Sequence, residues 1–228
     1  MGEVAPFAYV LFHGVIVGSL LLSRKLYPAM LVLSKAEVFR ILPVSAFFIV
    51  WDFVVTGAWW EFNPEYILFP SLAAWMRLPI EEILFFLVVP YAVLTVVKNV
   101  LAFTEYARIG VSERVFMLLT VSLRLLLLGV AVVCFVKAQW YSFSVVVLLQ
   151  LVEYSVLRVQ GIALGLVFTV FTTLIFNMYL TALPVVVYGE GFMTGWRVGT
   201  IPVEDFGYGL VLYFLLVRKG FSKSTLQH

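Results

Sequence analysis

The chain has 228 residues, of which 63% are hydrophobic and only 12% charged, whereas a soluble domain carries roughly 25% charged and about half apolar residues. That composition excludes a soluble enzyme and marks an integral membrane protein. A formal net charge of +2 with no basic tract excludes a nucleic-acid surface, and one cysteine, Cys134 in an apolar run, excludes a disulfide framework or a cysteine metal cluster.

A helix needs about 20 apolar residues to cross the hydrocarbon of a bilayer. Apolar runs predict seven helices, over 5–22, 38–56, 79–97, 114–136, 141–157, 161–183 and 203–218. The first run lacks a basic leader and a small-residue cleavage site, so it is read as a retained span. Arg24, Lys25, Lys35 and Arg40 separate the first two helices, and Lys98, Arg108 and Arg114 the third and fourth. Arg158 follows the fifth, and Arg218, Lys219 and Lys223 follow the seventh. The opposite side holds only Arg77, Lys137 and Arg197. This bias predicts a multi-pass protein of the cell membrane with its N-terminus outside, its C-terminus cytoplasmic, and loops 57–78 and 184–202 outside. Arg124 and Glu153, within the fourth and fifth helices, read as an inter-helix pair or as snorkelling side chains near the inner face.

The two outer loops are versions of each other. Each begins near a helix end with a polar residue, Asp52 or Asn177, followed four positions later by Thr56 or Thr181. Each closes on a proline followed by an acid pair: Pro79 with Glu81 and Glu82, and Pro202 with Glu204 and Asp205. The fold class expected is therefore all-α, with seven transmembrane helices arranged as two parallel three-helix repeats joined by a linking helix. Residues 1–97 form the first repeat, 98–137 the linking fourth helix and 138–228 the second repeat. A pseudo-twofold axis along the membrane normal would put both acid motifs at one face.

Proline is favoured at the first position of a helix, so Pro79 and Pro202 are predicted to open helices three and seven. One acid in a first turn is explained by the helix dipole. A second beside it adds repulsion and desolvation, and carboxylates in a span usually mark a functional interior. Two carboxyls crowded among apolar rings favour retention of a proton by one of them, which makes it a general acid. Asp52 is placed to share the cavity, and Arg77 and Arg197 to hold partner carboxylates or to anchor at the interface. Aromatic residues surround both motifs: Trp51, Trp59, Trp60, Trp75, Phe85 and Phe86 at the first, Tyr188, Trp196, Phe206 and Tyr208 at the second. Some belong to the interfacial belt, while rings that line a pocket stabilise a developing cation. Acid and π walls together suggest chemistry on an alkene.

The stretches "WDFVVTGAWWEFNP", "LPIEEILFFLVVPY" and "WRVGTIPVEDFGYG" resemble the membrane-embedded, flavin-independent lycopene cyclase family, with its two homologous halves fused here in one chain. The first half of that pattern is met by Trp51, Asp52, Gly57, Trp59, Phe62, Asn63, Pro64, Pro79, Glu81, Glu82, Phe85 and Phe86. The second is met by Arg197, Gly199, Thr200, Ile201, Pro202, Glu204, Asp205 and Phe206. One extra residue choice around Trp60 and Glu61 blurs the first. The resemblance implies redox-neutral closure of the linear ends of lycopene into β-ionone rings, giving β-carotene. Glu81, Glu82, Glu204 and Asp205 are then catalytic. Asp52, Trp51, Trp59, Trp60, Phe85, Phe86, Asn177, Tyr188, Arg197 and Phe206 hold substrate or stabilise the cation. No cofactor and no metal is expected, since no G-x-G-x-x-G follows a strand. The expected partners are a hydrophobic carotenoid drawn from the bilayer and the lipid membrane, with no nucleic acid; a homo-oligomer is compatible with the sequence. The alternative is a seven-helix transporter or proton-coupled carrier with parallel repeats. A retinal photoreceptor is set aside, because 203–217 contains no lysine and Lys219 comes only at its inner end.

Overall fold

The computed structural model describes residues 5–105 and 107–218; Lys219 and Lys223, which enter the charge bias, lie outside the described residues. The described residues are mostly helical: α1 Ala8–Leu26, α2 Lys35–Val55, α3 Pro70–Met76, α4 Ile80–Phe103, α5 Glu113–Val136, α6 Trp140–Leu151, α7 Gln160–Ala182 and α8 Val203–Val217. Among the described residues, five segments are long and apolar enough to cross a membrane: Ala5–Leu26, Lys35–Val55, Ile80–Phe103, Glu113–Val136 and Gln160–Ala182. α6 and α8, with 12 and 15 residues, fall short of the usual span of about 20. Pro79 and Pro202 directly precede α4 and α8 instead of occupying their first positions. At its start α2 has a capping box, in which the Ser34 hydroxyl accepts from the Glu37 N–H and the Glu37 carboxylate accepts from the Ser34 N–H.

The predicted fifth helix stops early for a specific reason. Arg124 of α5 donates to the carbonyls of Gln150 and Val152, the latter at 2.9 Å, and the Gln150 side-chain amide donates back to the Arg124 carbonyl at 2.6 Å. Carbonyls engaged by a guanidinium satisfy the end of a helix without a further turn. Val152 is extended and a 3-10 turn, Tyr154–Arg158, follows. The expected pairing of Arg124 with Glu153 is therefore replaced: Glu153 is exposed and accepts from the Ser155 hydroxyl.

The chain folds as two compact units. The first holds the described residues through Val96 together with Leu174–Gly189. Its core packs Tyr9, Phe12 and Ile16 of α1 against Ile67, Leu180 and Val185, with Phe62 and Phe85 around them. Loops 57–78 and 184–202 contain strands that the helix-only expectation omitted. β1 Trp60–Phe62 pairs antiparallel with β2 Val186–Tyr188, setting Trp60 opposite Tyr188 and Phe62 opposite Val186. At the other end of α1 a cavity of about 340 Å³ is lined by Val17, Leu20, Ile41, Leu87, Tyr91 and Thr95 among others, with Arg24 also on its wall. Leu21 and Leu42, which also line it, are exposed at the surface.

The second unit holds Val97–Thr173 and the described residues from Glu190 onward. Here β3 Arg197–Val198 and β4 Ile201–Pro202 form a small hairpin ahead of α8. Gly207 lets α8 approach α6 closely, since a Cβ added there would lie 2.4 Å from Val145 Cγ1. The expected result for Gly207→Ala is a loss of about 1–3 kcal/mol from overpacking, most of it recovered by adding Val145→Ala. Heat denaturation in detergent micelles checks both, and an unchanged melting temperature for the single variant would remove this contact as a constraint.

Candidate active site

Glu81 and Glu82 occupy the first turn of α4 and are both buried, Glu81 completely. Adjacent helical residues diverge by about 100°, so the two carboxyls reach different partners. Oε1 of Glu81 accepts from the Leu68 N–H at 2.7 Å, a donor delivered by loop 57–78. Its Oε2 is buried with no hydrogen-bond partner among the described residues. Glu82 instead accepts from the hydroxyl of Tyr9, which lies in the first turn of α1 and is itself 1% exposed. Asp52, buried in the last turn of α2, and Tyr188 of β2 lie close enough to Tyr9 to act on it electrostatically. Asp52 thus lies in the first unit, within electrostatic range of the tyrosine that holds Glu82.

The second pair repeats this scheme. Glu204 Oε1 accepts from the Thr194 N–H at 2.8 Å, the Thr194 hydroxyl at 2.7 Å and the Ser142 hydroxyl at 2.5 Å. Its Oε2 is again buried and unpartnered. Asp205 accepts from the Tyr141 hydroxyl at 2.8 Å, and Tyr141 stands in the first turn of α6. Each unit therefore has a tyrosine at a helix start holding the second acid and a loop N–H holding the first. In each, one carboxyl oxygen stays open. A buried polar atom left unpaired costs about 1–3 kcal/mol, so two retained at matching positions call for a functional explanation.

The remaining predicted residues divide by location. Trp51, Trp59 and Trp60 run as a chain of rings, with centroids 5.8 and 6.4 Å apart. Phe86 stacks on Phe48 and Phe85 on Phe12. Tyr188 belongs with these rings: it faces Trp60 across the β1–β2 ladder, at 6.3 Å. Asn177 is half-buried in α7 and, like Tyr188, belongs to the first unit, although the sequence associates both with the second motif. Phe206 is half-buried one position beyond Asp205 in the second unit. Trp75 and Trp196 are exposed, as belt residues are. Arg77 is exposed, donates to the Thr56 carbonyl at 3.4 Å and lies 5.7 Å over the Phe53 ring. Among the described residues it holds no carboxylate, which leaves the anchoring alternative for Arg77. Arg197, also exposed, donates to the Thr200 carbonyl at 2.8 Å across the β3–β4 turn.

With this geometry in view, the sequence model of the lycopene cyclase family matches residues 6–100 and again residues 114–218. The chain belongs to the lycopene cyclase family. Both acid pairs and both tyrosines of the cyclase lie within the matched segments. Among curated proteins and solved structures there is no match to the chain. Membership makes this a membrane enzyme of carotenoid cyclisation, and the carrier reading has no support. Sequence reasoning missed Tyr9 and Tyr141. The available signal was a tyrosine near the start of the predicted first helix and another at the start of the predicted fifth.

A hydrogen bond contributes about 0.5–1.5 kcal/mol, and about 1.5–3 kcal/mol where the acid is ionised, so Tyr9→Phe and Tyr141→Phe should each destabilise the cyclase by about 0.5–3 kcal/mol. Tyr27→Phe, at an exposed tyrosine, should leave it unchanged. Denaturation in micelles measures all three, and equal shifts would exclude a specific tie between tyrosine and acid.

Proposed function

We propose that the cyclase closes the linear ends of lycopene into β-ionone rings by acid–base chemistry, without flavin or nicotinamide. A carboxyl proton is delivered to C2 of the terminal C1=C2 bond. The π electrons of C5=C6 attack the C1 cation, forming the C1–C6 bond and leaving the cation at C5. Loss of the proton from C6 restores C5=C6, so the product is an isomer of the substrate and no oxidant or reductant is consumed. One group donates and another accepts, and their environments must differ for both to work at one pH.

The observation that carries this reading is the pair of buried, unpartnered carboxyl oxygens, on Glu81 and Glu204, in a chain of the cyclase family. Each is positioned by a loop N–H and accompanied by a second acid held by tyrosine. We assign catalysis to Glu81, Glu82, Glu204 and Asp205. Asp52, Asn177 and Arg197 are assigned to substrate positioning, and the rings of Trp51, Trp59, Trp60, Phe85, Phe86, Tyr188 and Phe206 to stabilising the cation. A desolvated cation over such a face gains up to about 2 kcal/mol. Substrate enters from the bilayer, and the outer loops with both acid pairs lie on the external side.

Expression in a lycopene-accumulating host should yield a pigment of unchanged mass with β-ring absorption; only linear pigment, or ε-rings, would refute the proposal. Glu81→Gln and Glu204→Gln should each lower ring formation by about 100-fold or more, the usual contribution of a general acid or base, with normal membrane insertion. Near-native rates in either variant would remove that residue from the chemistry. For orientation, Ser71→Cys in a Cys134→Ser background should react with an impermeant thiol reagent applied from outside; labelling only after permeabilisation would invert the topology.

A further inference from the structure

The first unit contains an ionisable group that the proposed chemistry has not used. His13 lies one helical turn beyond Tyr9 on α1, 6% exposed and so more than nine-tenths buried. Its Nδ1 lies 2.9 Å from the Tyr9 carbonyl. A carbonyl can only accept, so Nδ1 carries the proton and Nε2 of the neutral ring is a basic lone pair. That Nε2 is buried with no partner among the described residues. The imidazole is held by the rings of Tyr9 and Phe12, with centroids 5.3 and 5.1 Å away, and lies within electrostatic range of Glu81. Glu81 Oε2 is the other unpartnered atom of this cluster. A nitrogen base and a carboxyl oxygen, each buried and open, thus lie in one unit within electrostatic range of each other's side chains, with Tyr9 touching the imidazole on one side and bonding Glu82 on the other.

Among the described residues the second unit has no equivalent. Superposing the two tyrosine–acid ties in sequence sets Tyr141 on Tyr9, which puts Val145 at the place of His13 and Ser142 at the place of Val10. The second half spends its extra polar group on Glu204, through the Ser142 hydroxyl. The first half instead spends it on a base beside Glu81.

We propose that His13 is the proton acceptor of ring closure, a role that rests on the cyclase reading above. Glu81 gives its carboxyl proton to C2, and the C1–C6 bond forms as described. Nε2 of His13 removes the C6 proton while the C6–H electrons become the new C5=C6 bond. The imidazolium then passes its proton to the Glu81 carboxylate, which restores both groups and leaves no net proton or electron change. The groups around the imidazole are Tyr9 on its own helix and Glu81 and Glu82 on α4, with Asp52 of α2 and Tyr188 of β2 beyond Tyr9.

The test uses the full chain with His13→Asn, whose amide can keep the bond to the Tyr9 carbonyl but offers no base at the Nε2 position. His13→Phe serves as the variant that fills the space alone. Rates are measured with lycopene in micelles and ring isomers are separated by chromatography. His13→Asn is expected to lower turnover by about 100-fold or more at an unchanged melting temperature. The residual product should shift from β-rings toward ε- or γ-rings, because the cation then loses its proton from C4 or the C5 methyl instead of C6. Native rates, or slow turnover with an unaltered ring ratio in both variants, would overturn the assignment. A wild-type chain that formed no rings would overturn the cyclase reading itself and this assignment with it.

Discussion

A carboxyl group set among apolar side chains must find its hydrogen-bond donors inside the protein, because the surrounding hydrocarbon supplies none. Much of the local architecture around α4 and α8 answers that requirement. Loops 57–78 and 184–202 turn back so that the N–H groups of Leu68 and Thr194 meet Glu81 and Glu204. α1 and α6 begin where a tyrosine hydroxyl can reach Glu82 and Asp205. Gly207 follows from the same demand: without a side chain there, α8 comes near enough to α6 for Ser142 and Tyr141 to reach the acids.

Much of this was legible in the sequence, and the residues show why. Long apolar runs exist because the bilayer forces them, so α1, α2, α4, α5 and α7 were visible from composition. The acid pairs were visible because they break those runs. Their tyrosine partners were not, since Tyr9 and Tyr141 sit in apolar context where an aromatic residue is unremarkable. The β1–β2 ladder was hidden because its strands are three residues each and 124 positions apart, too short for alternation to register. The early end of α6 depends on Arg124, 26 residues upstream, a contact that no local pattern announces. His13 was passed over for a related reason: a lone imidazole in an apolar helix gains meaning only from what surrounds it.

The two halves share a scheme without sharing its details. Glu204 Oε1 collects three donors where Glu81 Oε1 collects one. A carboxyl with more donors is more firmly oriented and less ready to rotate, while one with fewer can turn its open oxygen more freely. The place of Val10 in the first half is taken by Ser142 in the second, and with it comes one of the extra donors to Glu204.

The cavity beside α1, α2 and α4 behaves unlike a pocket in a soluble enzyme. Its walls are mostly apolar and residues such as Leu21 and Leu42 reach the surface, which in a membrane means contact with acyl chains. A polyene or lipid tail entering it would exchange one hydrocarbon setting for another, so the hydrophobic effect contributes almost nothing to the transfer. Occupancy then follows the mole fraction of competing chains in the bilayer and not an aqueous concentration. Discrimination there falls to shape alone: a stiff conjugated rod loses little rotational freedom on confinement, whereas a flexible acyl chain loses much more.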